Sequence, residues 1–103
     1  MVVEFLRFKM SPEKVTLFIQ KNAELWTPAL REHHGFVDKE IWVNRQIPGE
    51  VVVAIHWNSL EDWKSFPNEL GVKLDEQMGD PEFMVVDGYE MDIAASTIRP
   101  QGA

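Results

Sequence analysis

The sequence predicts an α+β fold of the ferredoxin-like kind, βαββαβ, with two helices on one face of a four-stranded antiparallel sheet. Three observations carry that expectation. Residues 51–57 read VVVAIHW, a strand apolar on both faces. A second helix start, Ser59-Leu60-Glu61-Asp62, follows it without an intervening loop. Between the first two strands lies an amphipathic stripe opened by Ser11-Pro12-Glu13.

Taken in order, residues 2–9 form the first strand, with Val3 and Phe5 on one face and Val2, Leu6 and Phe8 on the other. Ser11 is the expected N-cap, Pro12 suits the first helical position, and Glu13 meets the positive end of the helix. Apolar residues then recur at Val15, Phe18, Ile19, Ala23, Trp26, Ala29 and Leu30. Pro28 predicts a kink over 24–28. His33 and His34 are assigned to the last turn, with Gly35 as the C-terminal cap. The second strand is expected over 36–44, with Phe36 and Trp42 on one face and Val37, Ile41 and Val43 on the other. Ile47-Pro48-Gly49 turns the chain back into the third strand. In the second helical region Pro67 forces a break, Asn68 restarts the helix and Gly79 ends it. The last strand is expected over 83–94, with a bulge at Asp87-Gly88.

At 103 residues the chain fits one domain, expected over 1–95 with a small polar tail over 96–103. Seventeen acidic against ten basic residues give a net charge of −7, which argues against nucleic acid and anionic membranes as partners. The absence of cysteine rules out disulfides and thiolate chemistry. The opening MVVEFLRFKM lacks the basic start and long apolar run of a signal peptide, so the expected location is cytoplasmic. A sheet face bearing Val, Phe, Ile or Trp from every strand, with no third layer to cover it, predicts a homodimer through that face. Such a contact would bury about 1,000 Å2 or more.

The strand order, His34-Gly35-Phe36 at the start of strand two, and Trp57-Asn58-Ser59 followed by Glu61, Asp62 and Trp63 resemble the dimeric α/β-barrel superfamily. More narrowly, they resemble its antibiotic-biosynthesis-monooxygenase-like domains, and Trp26-Thr27-Pro28-Ala29-Leu30 is similar to a small, largely cyanobacterial branch of it. The resemblance implies a cofactor-independent monooxygenase-like enzyme acting on a small aromatic or quinol-type molecule. The alternative it leaves open is a non-catalytic dimeric module that binds a small apolar ligand or serves a stress role. Haem-degrading members also carry an Asn on the first strand, a Trp in helix two and a His beyond it. This chain has no Asn before Asn22, Phe66 in place of that Trp, and no His after His56. No cofactor is expected.

Within that frame His56 and Tyr89 are the candidate catalytic residues, and Trp57, Asn58, Trp63 and Arg7 the candidate pocket. A histidine titrates near neutrality and so suits proton removal from a phenol or enol. The competing reading puts His56 on the sheet face opposite Trp57, since neighbours in a strand alternate. The tryptophans read as core, with a pocket wall as the alternative. Arg7 would meet an anionic group in a pocket, or a carboxylate across the sheet. His33-His34 cannot chelate as an i, i+4 pair does, and no metal site is expected.

Overall fold

The computed structural model describes residues 1–97. Its elements are β1 (Val2–Lys9), a 3-10 turn (Pro12–Lys14), α1 (Val15–Arg31), β2 (Phe36–Val43), β3 (Glu50–Trp57), α2 (Leu60–Lys64), α3 (Asn68–Met78), a second 3-10 turn (Pro81–Phe83) and β4 (Asp87–Asp92). The strands pair antiparallel in the order β2-β3-β1-β4. The helices cover one face, so the architecture is the α+β, ferredoxin-like one. Of the expected tail, 98–103 lies outside the described residues. Among those described, no helix is long and apolar enough to cross a membrane.

Alternation and register assign the faces. Glu4, Leu6 and Phe8 of β1 point to the helices with Val51, Val53, Ile55 and Trp57 of β3. Phe18, Leu30, Met78 and Phe83 close the core from above, with Phe18 ringed by Phe8 at 4.8 Å and Phe83 at 5.3 Å. The other face carries Val3, Phe5 and Arg7, then Val52, Ala54 and His56, then Trp42, Tyr89 and Met91. Phe5 sits between Trp42 (6.1 Å) and Tyr89 (6.0 Å), making an aromatic strip across the open sheet.

Several local expectations need correction. A β-bulge between Phe36 and Asp38 leaves Val37 without a partner on β3. The extra residue resets alternation, so Phe36 turns toward Trp57 while Trp42 lies on the open face, half-exposed rather than in the core. Asp87-Gly88 is not a bulge; pairing runs unbroken from Val2–Asp92 to Arg7–Asp87. β4 begins at Asp87, not at 83, because Asp80 caps a 3-10 turn by accepting from Glu82 N, and that turn drives Phe83 into the core. Ser11 caps nothing with its side chain. Its backbone N and Oγ both donate to Glu82 Oε1, at 2.7 and 2.9 Å, and Lys14 ion-pairs with Asp80 and Glu82. α1 closes at Arg31, which places His33 and His34 beyond it, and Pro28 lies within the helix. Ile19 is exposed at the edge of the stripe, whereas Asn22 is buried in it.

The α1–β2 and β3–α2 connections meet at Gly35. Its carbonyl accepts from Asn58 N at 2.8 Å, its φ is +85°, and a Cβ there would lie 2.3 Å from the Asp62 side chain. Asp62 is fixed in turn by the cap it shares with Ser59, whose Oγ accepts from Asp62 N. Gly35→Ala therefore meets both a left-handed backbone and a collision. Urea unfolding should show a loss of about 2 kcal/mol or more; an unchanged midpoint would mean that Asp62 moves aside at no cost.

Candidate functional site

Packing between sheet and helices is incomplete. A cavity of about 290 Å3 remains, walled by Trp57 and Ile55 from the sheet, Trp26 from α1, and Trp63 and Phe66 from the α2 region. The rings are locked in place. Trp26 stacks on Phe66 at 6.1 Å, and Trp57 meets His33, Phe36 and Phe66 edge-on. Pro67 breaks the second helical region here, and Gly71 faces the space with no side chain of its own.

Two titratable groups enter this apolar volume from the sheet. Glu4 and Lys39 are both paired across from Ile55, one on each side of it, so both point to the helices in the same row. Their Cα atoms stand two strand spacings apart, about 10 Å. The Glu4 carboxylate accepts from Trp57 Nε1 at 3.2 Å. Burial pushes its pKa up, against the opposing pull of the indole N–H and of Lys64. Lys39 Nζ donates to Asn22 Oδ1 and, at 2.6 Å, to Thr27 Oγ1, both on α1. Burial, helped by Arg31, lowers the Lys39 pKa from 10.5 to about 8. Asp75 of α3 also lines the cavity, and burial raises its pKa. Among the described residues no group of three or more His, Asp or Glu side chains converges as a metal site would require.

Of the sequence-derived candidates, two reach the cavity and four do not. Trp57 and Trp63 line the cavity; Arg7, His56, Asn58 and Tyr89 do not. Arg7 lies on the open face, its Nε donating to Asp87 Oδ2 at 2.9 Å and its guanidinium 3.7 Å from Glu50, so a carboxylate across the sheet takes it rather than a ligand. His56 is 5% exposed on that same face, with Nε2 3.3 Å from Glu40 Oε1. Tyr89 packs on Phe5 there.

Residues 1–72 match the family described as antibiotic biosynthesis monooxygenase. The chain belongs to that family. No protein of curated function matches it. Solved structures share the fold at low identity. A Streptomyces coelicolor monooxygenase from the gene ActVA-Orf6, in complex with nanaomycin D, superposes with a TM-score of 0.78 at 15% identity, covering 96% of this chain and 92% of its own. SnoaB, a cofactor-independent oxygenase from Streptomyces nogalater, gives 0.73 at 12% identity, covering 95% and 97%. Rv0793 from Mycobacterium tuberculosis gives 0.69 at 15% identity, covering 93% and 97%.

For this member of the antibiotic biosynthesis monooxygenase family, the sequence marks Glu4 only as a charge interrupting an apolar strand and Asp75 only as part of a solvated acidic face, and it does not single out Asn22 or Lys39. One signal was present: Phe18, Asn22 and Trp26 follow at steps of four, which puts an amide in the middle of an apolar stripe. Lys39 was hidden by the bulge, since its face cannot be counted from Phe36.

Glu4 yields a test. With its folded pKa above the ordinary 4.5, the native state binds this proton more tightly than the unfolded chain does. Its contribution to stability is therefore greatest below pH 4.5 and is lost as pH rises through the raised value. Glu4→Gln keeps an acceptor for Trp57 Nε1 and removes the charge. It should unfold at higher urea than wild type at pH 7, with the difference closing at pH 4; an equal gap at both would place the Glu4 charge in solvent.

Proposed function

We propose that this chain is a cofactor-independent monooxygenase-like enzyme that oxidises a small phenol or quinol in the cavity, and that it works as a homodimer. The observation that carries this reading is a cavity with aromatic walls that holds an amine and a carboxyl. Flat aromatic faces suit a planar ligand, and a titratable group held against that ligand suits proton removal from a phenol near neutral pH. Two fold relatives point the same way, one holding nanaomycin D and the other described as a cofactor-independent oxygenase.

The chemistry needs only substrate and oxygen. Loss of the phenolic proton gives an electron-rich anion that passes electrons to O2. One oxygen atom stays on the ring carbon as a new carbonyl and the other leaves as water, so a phenol plus O2 becomes a quinone plus water. The aromatic walls align the substrate for the reaction with oxygen.

The open sheet face supports the dimer. Trp42, Tyr89 and Met91 stay about half-exposed around Phe5, on a face the helices do not cover. An apolar surface of this kind is ordinarily buried against a partner, and a two-fold pairing of like sheets is the commonest arrangement.

Oxygen uptake with a panel of dihydroxy-aromatics should proceed with wild type. It should be abolished in Gly71→Leu, which projects a side chain toward Trp26 and into the cavity while favouring the helix. Binding of these compounds without oxygen consumption would identify a ligand-binding module instead. Sedimentation should give twice the 11.9 kDa chain mass, and Trp42→Lys should sediment at the single-chain mass; a wild-type monomer would dismiss the dimer.

A further inference from the structure

We propose that Lys39 is the proton acceptor of the cavity: its Nζ takes the phenolic proton of the bound aromatic, and the ammonium so formed holds the phenolate. The assignment rests on the aromatic-cavity reading above and adds the residue that performs its first step.

Lys39 Nζ is held from one side, by α1. A neutral amine has two N–H bonds and one lone pair at tetrahedral positions. Lys39 Nζ has two acceptors on α1, Asn22 Oδ1 and Thr27 Oγ1. Donating both N–H bonds to them leaves the lone pair as the one position not directed at the helix. Lys39 lines the cavity, and that position is where a ligand hydroxyl would sit. Both acceptors are uncharged oxygens, and no carboxylate ion-pairs with Lys39 among the described residues. A carboxylate partner would keep the lysine as an ammonium and leave no lone pair to accept a proton.

The charged groups around it act in one direction on balance. Arg31 of α1 disfavours a second cation. Lys64 of α2 also borders the cavity and is tied to Glu90 at 2.8 Å. Of the two carboxyl groups facing the space, Glu4 of β1 is bonded to Trp57 of β3, and Asp75 of α3 is pushed by burial toward its neutral form. With a pKa near 8, a useful fraction of Lys39 is already the free base at neutral pH.

The step balances without a co-reactant. The phenolic O–H bond breaks, the proton goes to the Nζ lone pair, and the electron pair stays on oxygen. The resulting ammonium–phenolate pair keeps the bonds to Asn22 and Thr27. Glu4, at the far side of the row, is placed to hydrogen-bond a second oxygen function of the same ring when it carries its proton. The favoured substrate is therefore an aromatic with oxygen groups at both ends rather than a simple phenol.

The test uses 4-nitrophenol, whose phenolate absorbs in the visible, with wild type, Lys39→Met and Lys39→Arg. At about pH 6 the wild-type complex should carry about tenfold more phenolate than the free probe at the same pH, and Lys39→Met should bind the probe as the neutral phenol. Lys39→Arg, which keeps a cation and lacks a usable base, should retain the phenolate band. Oxygen uptake on dihydroxy-aromatics should fall about 100-fold in both variants, and the acid limb that the wild-type rate shows as pH falls below about 8 should be missing from both. Equal ionisation of the probe in wild type and Lys39→Met overturns the role of Lys39 and leaves the cavity reading standing. Failure of wild type to bind the probe overturns both. A second measurement needs no variant: the Cε resonance of Lys39 in lysine-labelled wild type should titrate near 8 when free and at higher pH with probe bound. An unmoved titration overturns the assignment.

Discussion

The structure depends on β3 being buried on both faces. Toward the helices Val51, Val53, Ile55 and Trp57 are almost wholly removed from solvent. Toward the other side Ala54 and His56 are as deeply covered, flanked by Phe5, Glu40 and Val3 on the neighbouring strands. A strand enclosed in this way has no room for an uncompensated polar side chain. It therefore sets where polarity can enter: from β1 and β2, the strands on either side. Glu4 and Lys39 do so in the same row, separated by the Ile55 side chain.

The site is built at the expense of stability. A carboxyl and an amine, each drawn toward its neutral form, are held in an apolar space by single-strand geometry and by one or two hydrogen bonds apiece. Hydrophobic residues of similar volume in both places would pack better. Local rules that are broken without an evident gain in packing tend to mark function, and here two breaches face each other across one strand. The capping and turn residues elsewhere obey their rules: Ser59 caps α2, Pro67 separates α2 from α3, and Gly79 terminates α3.

This division explains what the amino-acid order discloses. Strand and helix identities follow from period-two and period-four patterns and from capping residues, all local, so β1, β3 and the helix restart at Asn68 are legible directly. The face a residue occupies is legible only while alternation is unbroken. One extra residue at Val37 reverses the parity of β2 between its first residue and the rest, which misassigns Phe36 and conceals Lys39. Phe83 is lost to the strand reading for a similar reason, since a 3-10 turn capped by Asp80 has no periodic signature in three residues. His56 drew attention because its residue type is reactive, yet residue type says nothing about direction, and the strand turns it away from Trp57. Glu4, a charge in an apolar strand, calls for a partner across the sheet, and the partner is the Trp57 indole.

The clasp between the two 3-10 turns has a consequence for the order in which the molecule assembles. Ser11 and Lys14 grip Asp80 and Glu82, a closure spanning some seventy residues of chain. The β2–β3 hairpin, by contrast, is joined through a short turn at Ile47-Pro48-Gly49. Chain entropy rewards short closures first and charges long ones before their contacts form. The clasp accordingly belongs to the late steps of folding, and with it the seating of Phe83 beneath the cavity. The central hairpin is the early scaffold, and the cavity between sheet and helices is the last part of the core to take shape.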